Sequence, residues 1–456
     1  MPSPWFQSVP DRLLYPPLSG HTTANVIVVG GGLLCIFTAL QLVKEGYSVV
    51  LLEKKHLGTG TTGSSLGIMT RMPHISSTDL AEDYGFDLGA RFYSAYSLAQ
   101  KELFELIEKE AIDCDFLKVN SYAGSFDKAT IGAKKEWKIL ERIGNRVSWV
   151  DEATASNNAL PFTNAVRFID EATGNPRALL FLLLAKIDKN KLRVYEESEV
   201  IDIEVGDKIA VATIEGSVIA SQLILATEAP PIFFGELDVL TRPVIMRSLA
   251  LSFEKSPLPR GIFWDIASPH FCIRSLDERT VIMEMEKQGR RDLVRASLEE
   301  MLANIFQYAP TIEDSWSGGV LKTRDGLPYV FDHPHYRGRI FVALGFSKNS
   351  MVGGFLASQV LKALVTKAYH PAKNILDLYR TGTKLKAPKT IKKRRAKVEE
   401  EMATEGEKEG RTNYRIALAE RLKRRLGKRK WIIVFALVET ITIVFYLGWV
   451  YWSSNR

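Results

Sequence analysis

Cysteine is scarce in this chain. Three residues in 456 (Cys35, Cys114 and Cys272) form no close pair and no metal-type spacing. That argues against a disulfide framework or a zinc site and leaves reduced intracellular thiols as the default. No secretory leader is legible, because the first twenty residues are rich in Pro and Ser without an apolar core. No internal repeat is visible either. The body also lacks the basic charge that a nucleic-acid partner requires. The net charge is +7, but Lys384 to Lys430 alone holds 18 basic against 7 acidic residues, which leaves the rest at −4. What remains is ordinary globular composition, 46% hydrophobic and 25% charged, long enough for a two-lobed unit or two domains.

Two long apolar runs stand out. Trp431 to Trp452 contains Glu439 as its only charge and has aromatic residues at both ends. Its 22 residues reach the roughly 20 that a spanning helix needs. Seven Lys/Arg lie between Arg421 and Lys430, while only Arg456 follows, so the positive-inside bias places the body in the cytoplasm. A buried core helix is the competing reading, but it would need partners at an extreme end behind a polar linker. The basic stretch, including KKRRAK at 392–397, suits anionic lipid better than a nuclear signal, at about 1 kcal/mol per Lys/Arg near the surface. The other run, Ala24 to Val43, holds three consecutive glycines and reads as a strand, a turn and a helix.

That second run opens a βαβ unit. Asn25–Val29 is a strand, Gly30-Gly31-Gly32 a turn, Leu33–Glu45 a helix stopped by Gly46, and Ser48–Leu52 a second strand ending at Glu53. A helix N-terminus offers unpaired N–H groups and positive dipole to a pyrophosphate, and glycines let backbone approach it. Gly30-x-Gly32-x-x-Cys35 departs from the usual spacing only at its last position, where Gly or Ala is normal. Glu53 is placed to accept both ribose hydroxyls of an adenine dinucleotide. A Gly/Thr/Ser-rich loop follows from Gly58 to Gly67. Next come a helical pattern over Phe86–Lys109, a cap at Asn175-Pro176, strands between Arg193 and Ala226, and β runs at Val244–Phe253 and Phe271–Met285. A helix near Leu293–Gln307 and a βα unit over Arg339–Lys367 complete the body. This layout, with a long helix and a meander before a late return to Gly-rich βα structure, favours FAD over NAD.

Three blocks resemble the D-amino-acid oxidase/glycine oxidase superfamily of FAD-dependent oxidoreductases over roughly residues 22–370. They are NVIVVGGGLLCIFTAL…VVLLEKKHLGTGTTGSSLGIMT, VIASQLILAT and SWSGGVLKTRDGLPYVF…RIFVALGFSKNSMVGG. The TTG loop and GFSKN look most like the branch often fused to a Rieske domain. No paired Cys/His motif is present, so that domain is expected to be absent, with the tail and spanning helix in its place. The resemblance implies an α/β fold: a Rossmann-like (GR2-type) FAD domain, a mixed antiparallel-sheet substrate domain and a single transmembrane helix. The expected body is 1–385, with an FAD lobe near 22–115, 165–235 and 315–370 and a substrate lobe near 116–164 and 236–314. A basic linker (386–430) and the span (431–452) follow.

The implied activity is hydride transfer to flavin from a carbon beside an amine, giving an imine that hydrolyses; electrons then pass to oxygen or another acceptor. A membrane quinone fits that last role. Carried over by position, Gly30, Gly31, Gly32, Glu53 and Lys54 would hold the ADP half. Thr61, Thr62, Gly63 and Ser64 would line the pyrophosphate and ribityl region, with Gly67, Ile68 and Met69 near the ring. Val200 would meet adenine through its backbone. Gly345, Phe346, Ser347, Lys348, Asn349 and Ser350 would pass the pyrimidine side, where Lys348 would stabilise negative charge on reduced flavin.

The sequence also departs from the family. Cys35, Glu228 and Ser350 stand where Gly is usual, and Glu284-Met285 where paired glycines are frequent. Val320 stands where amino-acid oxidases keep the Arg that pairs with substrate carboxylate. Arg274 is the nearest substitute, although it also reads as a surface sheet residue. These changes motivate an alternative, a catalytically degenerate membrane scaffold on a flavoprotein fold. His333-Pro-His335 reads as a solvated loop rather than a metal or flavin attachment, and Cys35 as mildly reactive at its helix start.

Overall fold

In the computed structural model, five parallel strands form the centre of the first sheet. They are β1 (Gly20–Val29), β2 (Val49–Leu52), β7 (Leu192–Tyr195), β10 (Gly216–Leu225) and β17 (Ile340–Leu344), in the order β17-β10-β1-β2-β7. Their near-continuous Val/Ile/Leu runs are what a sheet covered on both faces demands. Val26, Val28, Val49 and Leu51 face one apolar cluster, and Ile27, Val29, Val50 and Leu52 face another. The first face is covered by α2 (Leu33–Lys44), α7 (Pro176–Ala185) and α8 (Val352–Thr366). β16 (Tyr329–Asp332) closes the β17 edge, and the hairpin β8 (Asp202–Val205)–β9 (Ile209–Ala212) attaches to β10. Structure is described for residues 3–9, 12–72, 76–124, 130–227, 237, 240–266, 271–286, 302, 305–306, 310–347 and 349–381. The expected linker, the span at 431–452, Glu228 and Lys348 therefore lie outside the described residues. Among the described residues no helix is long and apolar enough to cross a membrane.

The second sheet is mixed and mostly antiparallel. Its order is β15 (Thr311–Thr323), β11 (Thr241–Ser252), β14 (Thr280–Glu286), β13 (Phe271–Ser275), β12 (Ile262–Asp265), β4 (Leu117–Gly124), β6 (Ala165–Thr173) and β3 (Ile68–Met69). The strand β5 (Val147–Val150) pairs with β6, and among the described residues only the β12–β4 pair of this sheet is parallel. Thus β3, β6 and β15 belong to this sheet, although the sequence boundaries place 68–69, 165–173 and 315–323 in the other lobe. Local pattern identifies a strand; its sheet is decided by partners more than a hundred residues away, as for Met69↔Ala172.

The long helix α4 spans Ser77–Lys109 but breaks at Gly85, whose φ of +79° suits glycine, so the second segment starts at the expected Phe86. The unexpected first segment is capped by Ser76 on Asp79 N and by Glu136 from α5 (Thr130–Arg142). Buried Glu136 accepts Ser77 N at 2.7 Å and Thr78 N at 3.1 Å. Asn175 caps α7 as expected, accepting from Arg177 N and Ala178 N.

Candidate functional site

The strand order reverses beside β1, and the crevice outside the carboxyl ends of β1 and β2 is where an α/β sheet binds ligands. Gly30 has φ +126°, and a Cβ there would lie 2.6 Å from Ala226 O and 2.9 Å from Cys35 Sγ. Only glycine fits this turn. Cys35 packs beneath it, fully buried, with Sγ 3.4 Å from Ala226 O and a thiol that burial pushes up to about 12. That corrects the reading of Cys35 as a reactive thiol: it is packing under a turn. Gly31 faces Glu53, whose Oε2 would be 2.6 Å from an added Cβ. The Glu53 carboxyl is raised above its ordinary range, chiefly by burial; the Lys55 N–H at 2.8 Å and the charge of exposed Lys54 pull it back. Gly32 starts α2 without a side-chain cap, and Leu33 N donates to Thr62 Oγ1 at 3.1 Å.

The Gly/Thr/Ser loop contains one helical turn, α3 (Thr61–Ser64), set against β15. Thr61 Oγ1 lies 3.4 Å from Gly319 O, and a Cβ on Gly318 would meet Ser64 Oγ at 2.2 Å. Gly67 has φ +67°, then Ile68 and Met69 run buried along β6. Val200 is half-buried just beyond Ser198, whose N–H donates to Glu53 O at 2.8 Å, so it lies close to the acidic residue. At the far block, Gly345 (φ +80°) leaves no room for a Cβ against Thr323. Asn349 Nδ2 donates to Thr70 O at 2.8 Å and Met72 O at 3.0 Å, which binds this block to the segment after Met69. Ser350 and half-buried Phe346 flank it. The structure therefore brings together Gly30–Gly32, Glu53, Thr61–Ser64, Gly67–Met69 and the described part of 345–350, blocks some 290 residues apart.

The chain's match to the FAD dependent oxidoreductase (DAO) family covers residues 25–364. The chain belongs to that family. It is an FAD-dependent oxidoreductase. A Bacillus subtilis protein named for a Rieske 2Fe-2S centre, YhfW, is 24% identical, over 82% of this chain and 75% of its own length. Gamma-glutamylputrescine oxidoreductase of Escherichia coli is 28% identical over 76% of this chain and 85% of its own. The crystal structure of glycine oxidase from Geobacillus kaustophilus has the same fold, with a TM-score of 0.66 at 19% identity, covering 80% of this chain and all of that one.

The residues present fit FAD. Buried polar atoms without a partner sit on the segments bordering the crevice: Thr227 Oγ1 past β10, Thr323 Oγ1, Ser347 Oγ and Asn349 Oδ1. Buried polar groups are ordinarily satisfied, so four orphans beside the family's blocks suit a polar ligand. FAD supplies the two-electron acceptor when bound.

Two further expectations need correction. Arg274 is not a surface residue. It is 2% exposed, its Nη1 donates to Leu66 O, Gly67 O and Gly174 O at 2.7–2.8 Å, and its guanidinium lies 5.0 Å from the Trp5 ring. Burial lowers its pKa to about 10, which leaves it cationic at neutral pH. His333 is fully buried rather than solvated, its ring 5.1 Å from that of Tyr336. Among the described residues no His/Cys/Asp/Glu group could hold a metal. Sequence reasoning also missed Trp5, which is buried and donates its indole N–H to Ser65 O at 2.7 Å. The Pro-Trp-Phe run at 4–6 was the available signal: two adjacent large aromatics in an otherwise polar leader need something to cover them.

Proposed function

We propose that this protein is a membrane-anchored flavin oxidoreductase whose preferred substrates are amines lacking a free α-carboxylate. Gly30–Gly32 and Glu53 would hold the ADP half of FAD. Residues 61–69 would line its middle and ring, Val200 would face the adenine, and 345–350 would follow the pyrimidine edge. One observation carries the substrate reading. Side chains alternate along β15, so Val320 shares a face with Trp316 and Gly318, which contact the Ser64 loop. Val320 is 5% exposed there and forms an apolar cluster with Val244 and Met246. A carboxylate entering that face finds hydrocarbon, and the Nη1 of Arg274 is taken by three carbonyls. The name of the E. coli relative points to a substrate with a putrescine moiety, in which the carbon beside the amine bears no carboxylate.

Losing a charge-assisted contact of about 1.5–3 kcal/mol corresponds to roughly 10- to 100-fold. Flavin in the holoprotein, mixed anaerobically with matched pairs of amine and α-amino acid, should therefore bleach at least 10-fold faster with the amine. Preference for the amino acid would refute the assignment.

The anchor reading rests on the apolar, aromatic-ended stretch 431–452 behind a basic segment. Anchoring makes a quinone or other membrane carrier a fitting electron acceptor, with the catalytic body on the cytoplasmic side. In sealed vesicles with the cytoplasmic face outward, protease should digest the body and spare a C-terminal tag; digestion of the tag with a protected body would reverse the orientation.

A further inference from the structure

Five consecutive carbonyls, from Gly63 to Gly67, each accept a hydrogen bond from a side chain distant in sequence. Gly63 O accepts from Ser3 Oγ, and Ser64 O from Trp316 Nε1 at 2.9 Å. Ser65 O accepts from Trp5 Nε1 at 2.7 Å, and Leu66 O and Gly67 O from Arg274 Nη1 at 2.7 and 2.8 Å. The indole of Trp5 lies beside the guanidinium of Arg274, so two of these donors also hold each other. Phe6 closes the same end. Its ring lies 3.0 Å from where a Gly63 Cβ would sit, and it stacks under Arg177, whose Nη1 donates to Gly58 O at 3.1 Å.

The N-terminal segment is fastened at its other end as well. Glu196, 1% exposed, accepts from Arg12 Nη1 at 2.5 Å and Tyr15 N at 3.2 Å, and also from Leu57 N at 2.6 Å. Leu18 N donates to Ser198 Oγ at 2.8 Å. In a planar trans peptide the C=O and the following N–H point opposite ways. Fixing a run of carbonyls on outside donors therefore fixes the directions of the amides between them. Those amides belong to the segment that the proposed function assigns to the flavin's middle and ring.

We propose that Trp5 and Arg274 are positioning residues that clamp residues 63–69 in the conformation that receives FAD, with the N-terminal segment as an integral part of the flavin site. Arg274 then acts through backbone carbonyls and touches no substrate. The proposal rests on the reading of 63–69 as a wall of the flavin site, and its test separates the two.

The test uses the full chain and the variants Trp5→Phe, Trp5→Ala and Arg274→Lys, each checked for an unchanged circular dichroism spectrum. Hydrogen exchange is measured on the apoprotein and FAD affinity by quenching of flavin fluorescence. Trp5→Ala is expected to speed exchange of the 64–69 amides while those of β1 and β2 stay protected, and to weaken FAD about 10-fold, the size of one lost hydrogen bond with its packing. Trp5→Phe keeps the ring over Arg274 and loses only the indole N–H, so it falls between wild type and Trp5→Ala. It also serves as the test if Trp5→Ala does not fold. Arg274→Lys keeps one donor and loses the planar fork, with an effect of the same sign. Unchanged exchange at 64–69 in all three variants overturns the clamp. Faster exchange there with unaltered FAD affinity upholds the clamp but removes that segment from the flavin site.

Discussion

Replacing Gly31 by Ala leaves the protein folded and weakens FAD binding by about 100-fold. The added methyl would lie 2.6 Å from Glu53 Oε2 and 2.7 Å from its Cγ, atoms of a side chain that can rotate away. The fold therefore yields at low cost, and what is lost is the carboxylate's position over the turn. Two charge-assisted bonds to ribose hydroxyls are together worth about 2.7 kcal/mol or more, hence the factor of about 100. Gly30→Ala behaves differently, because its methyl meets the Ala226 carbonyl at 2.6 Å in a backbone conformation of φ +126°; that variant loses stability before it loses cofactor. Glu53→Gln keeps the size and loses the charge, for about a tenfold loss.

pH separates the two effects. Burial raises the Glu53 carboxyl above its ordinary value of 4.5, so the folded apoprotein holds this proton more tightly than the unfolded chain. Between 4.5 and the raised folded value, rising pH ionises Glu53 at some cost in stability. FAD affinity should increase across that same interval in wild type and stay flat in Glu53→Gln. Fluorescence titration of the apoproteins at several pH values measures both.

Arg380→Ala should destabilise the protein by about 3–5 kcal/mol, more than any surface substitution. Its guanidinium is bidentate to Asp325, Nε–Oδ2 2.8 Å and Nη2–Oδ1 3.0 Å, with side-chain exposures of 2% and 8%. It also donates to Leu327 O and Pro328 O and lies 3.8 Å over the Tyr329 ring, while Tyr84 OH donates to Asp325 Oδ2 at 2.9 Å. Removing the cation leaves a buried carboxylate whose remaining donors cannot neutralise it. Chemical denaturation reads the loss directly, and a double variant Arg380→Leu/Asp325→Asn should recover part of it. A change below about 1 kcal/mol would show that the pair is solvated in solution.

The nucleotide half was legible because its signals are local. Strand, glycine turn, helix and Glu53 fall within thirty residues, and each element forms within a residue or two of the expected bounds, apart from an earlier start to β1. The helix start at Phe86 and the Asn175 cap were local in the same way. What could not be read depends on contacts across the chain. β6 joins the second sheet through β3 and β4, Arg380 closes a turn 55 residues earlier, and Trp5 reaches a loop 60 residues away. Arg274 shows the same limit within a single residue. Strand alternation said it was on a sheet, and carbonyls beside β3 and β6, 208 and 100 residues away, decide that it is buried. Val320 was legible as a departure from the family, whereas its apolar company depends on register with β11.

The visible absorption of the full chain, purified in detergent and kept anaerobic, tests the central claim most directly. One FAD per chain, carried through purification and bleached on adding a small amine, is the result predicted here. A colourless, cooperatively folded protein that takes up no added FAD would contradict it and leave a membrane scaffold in its place.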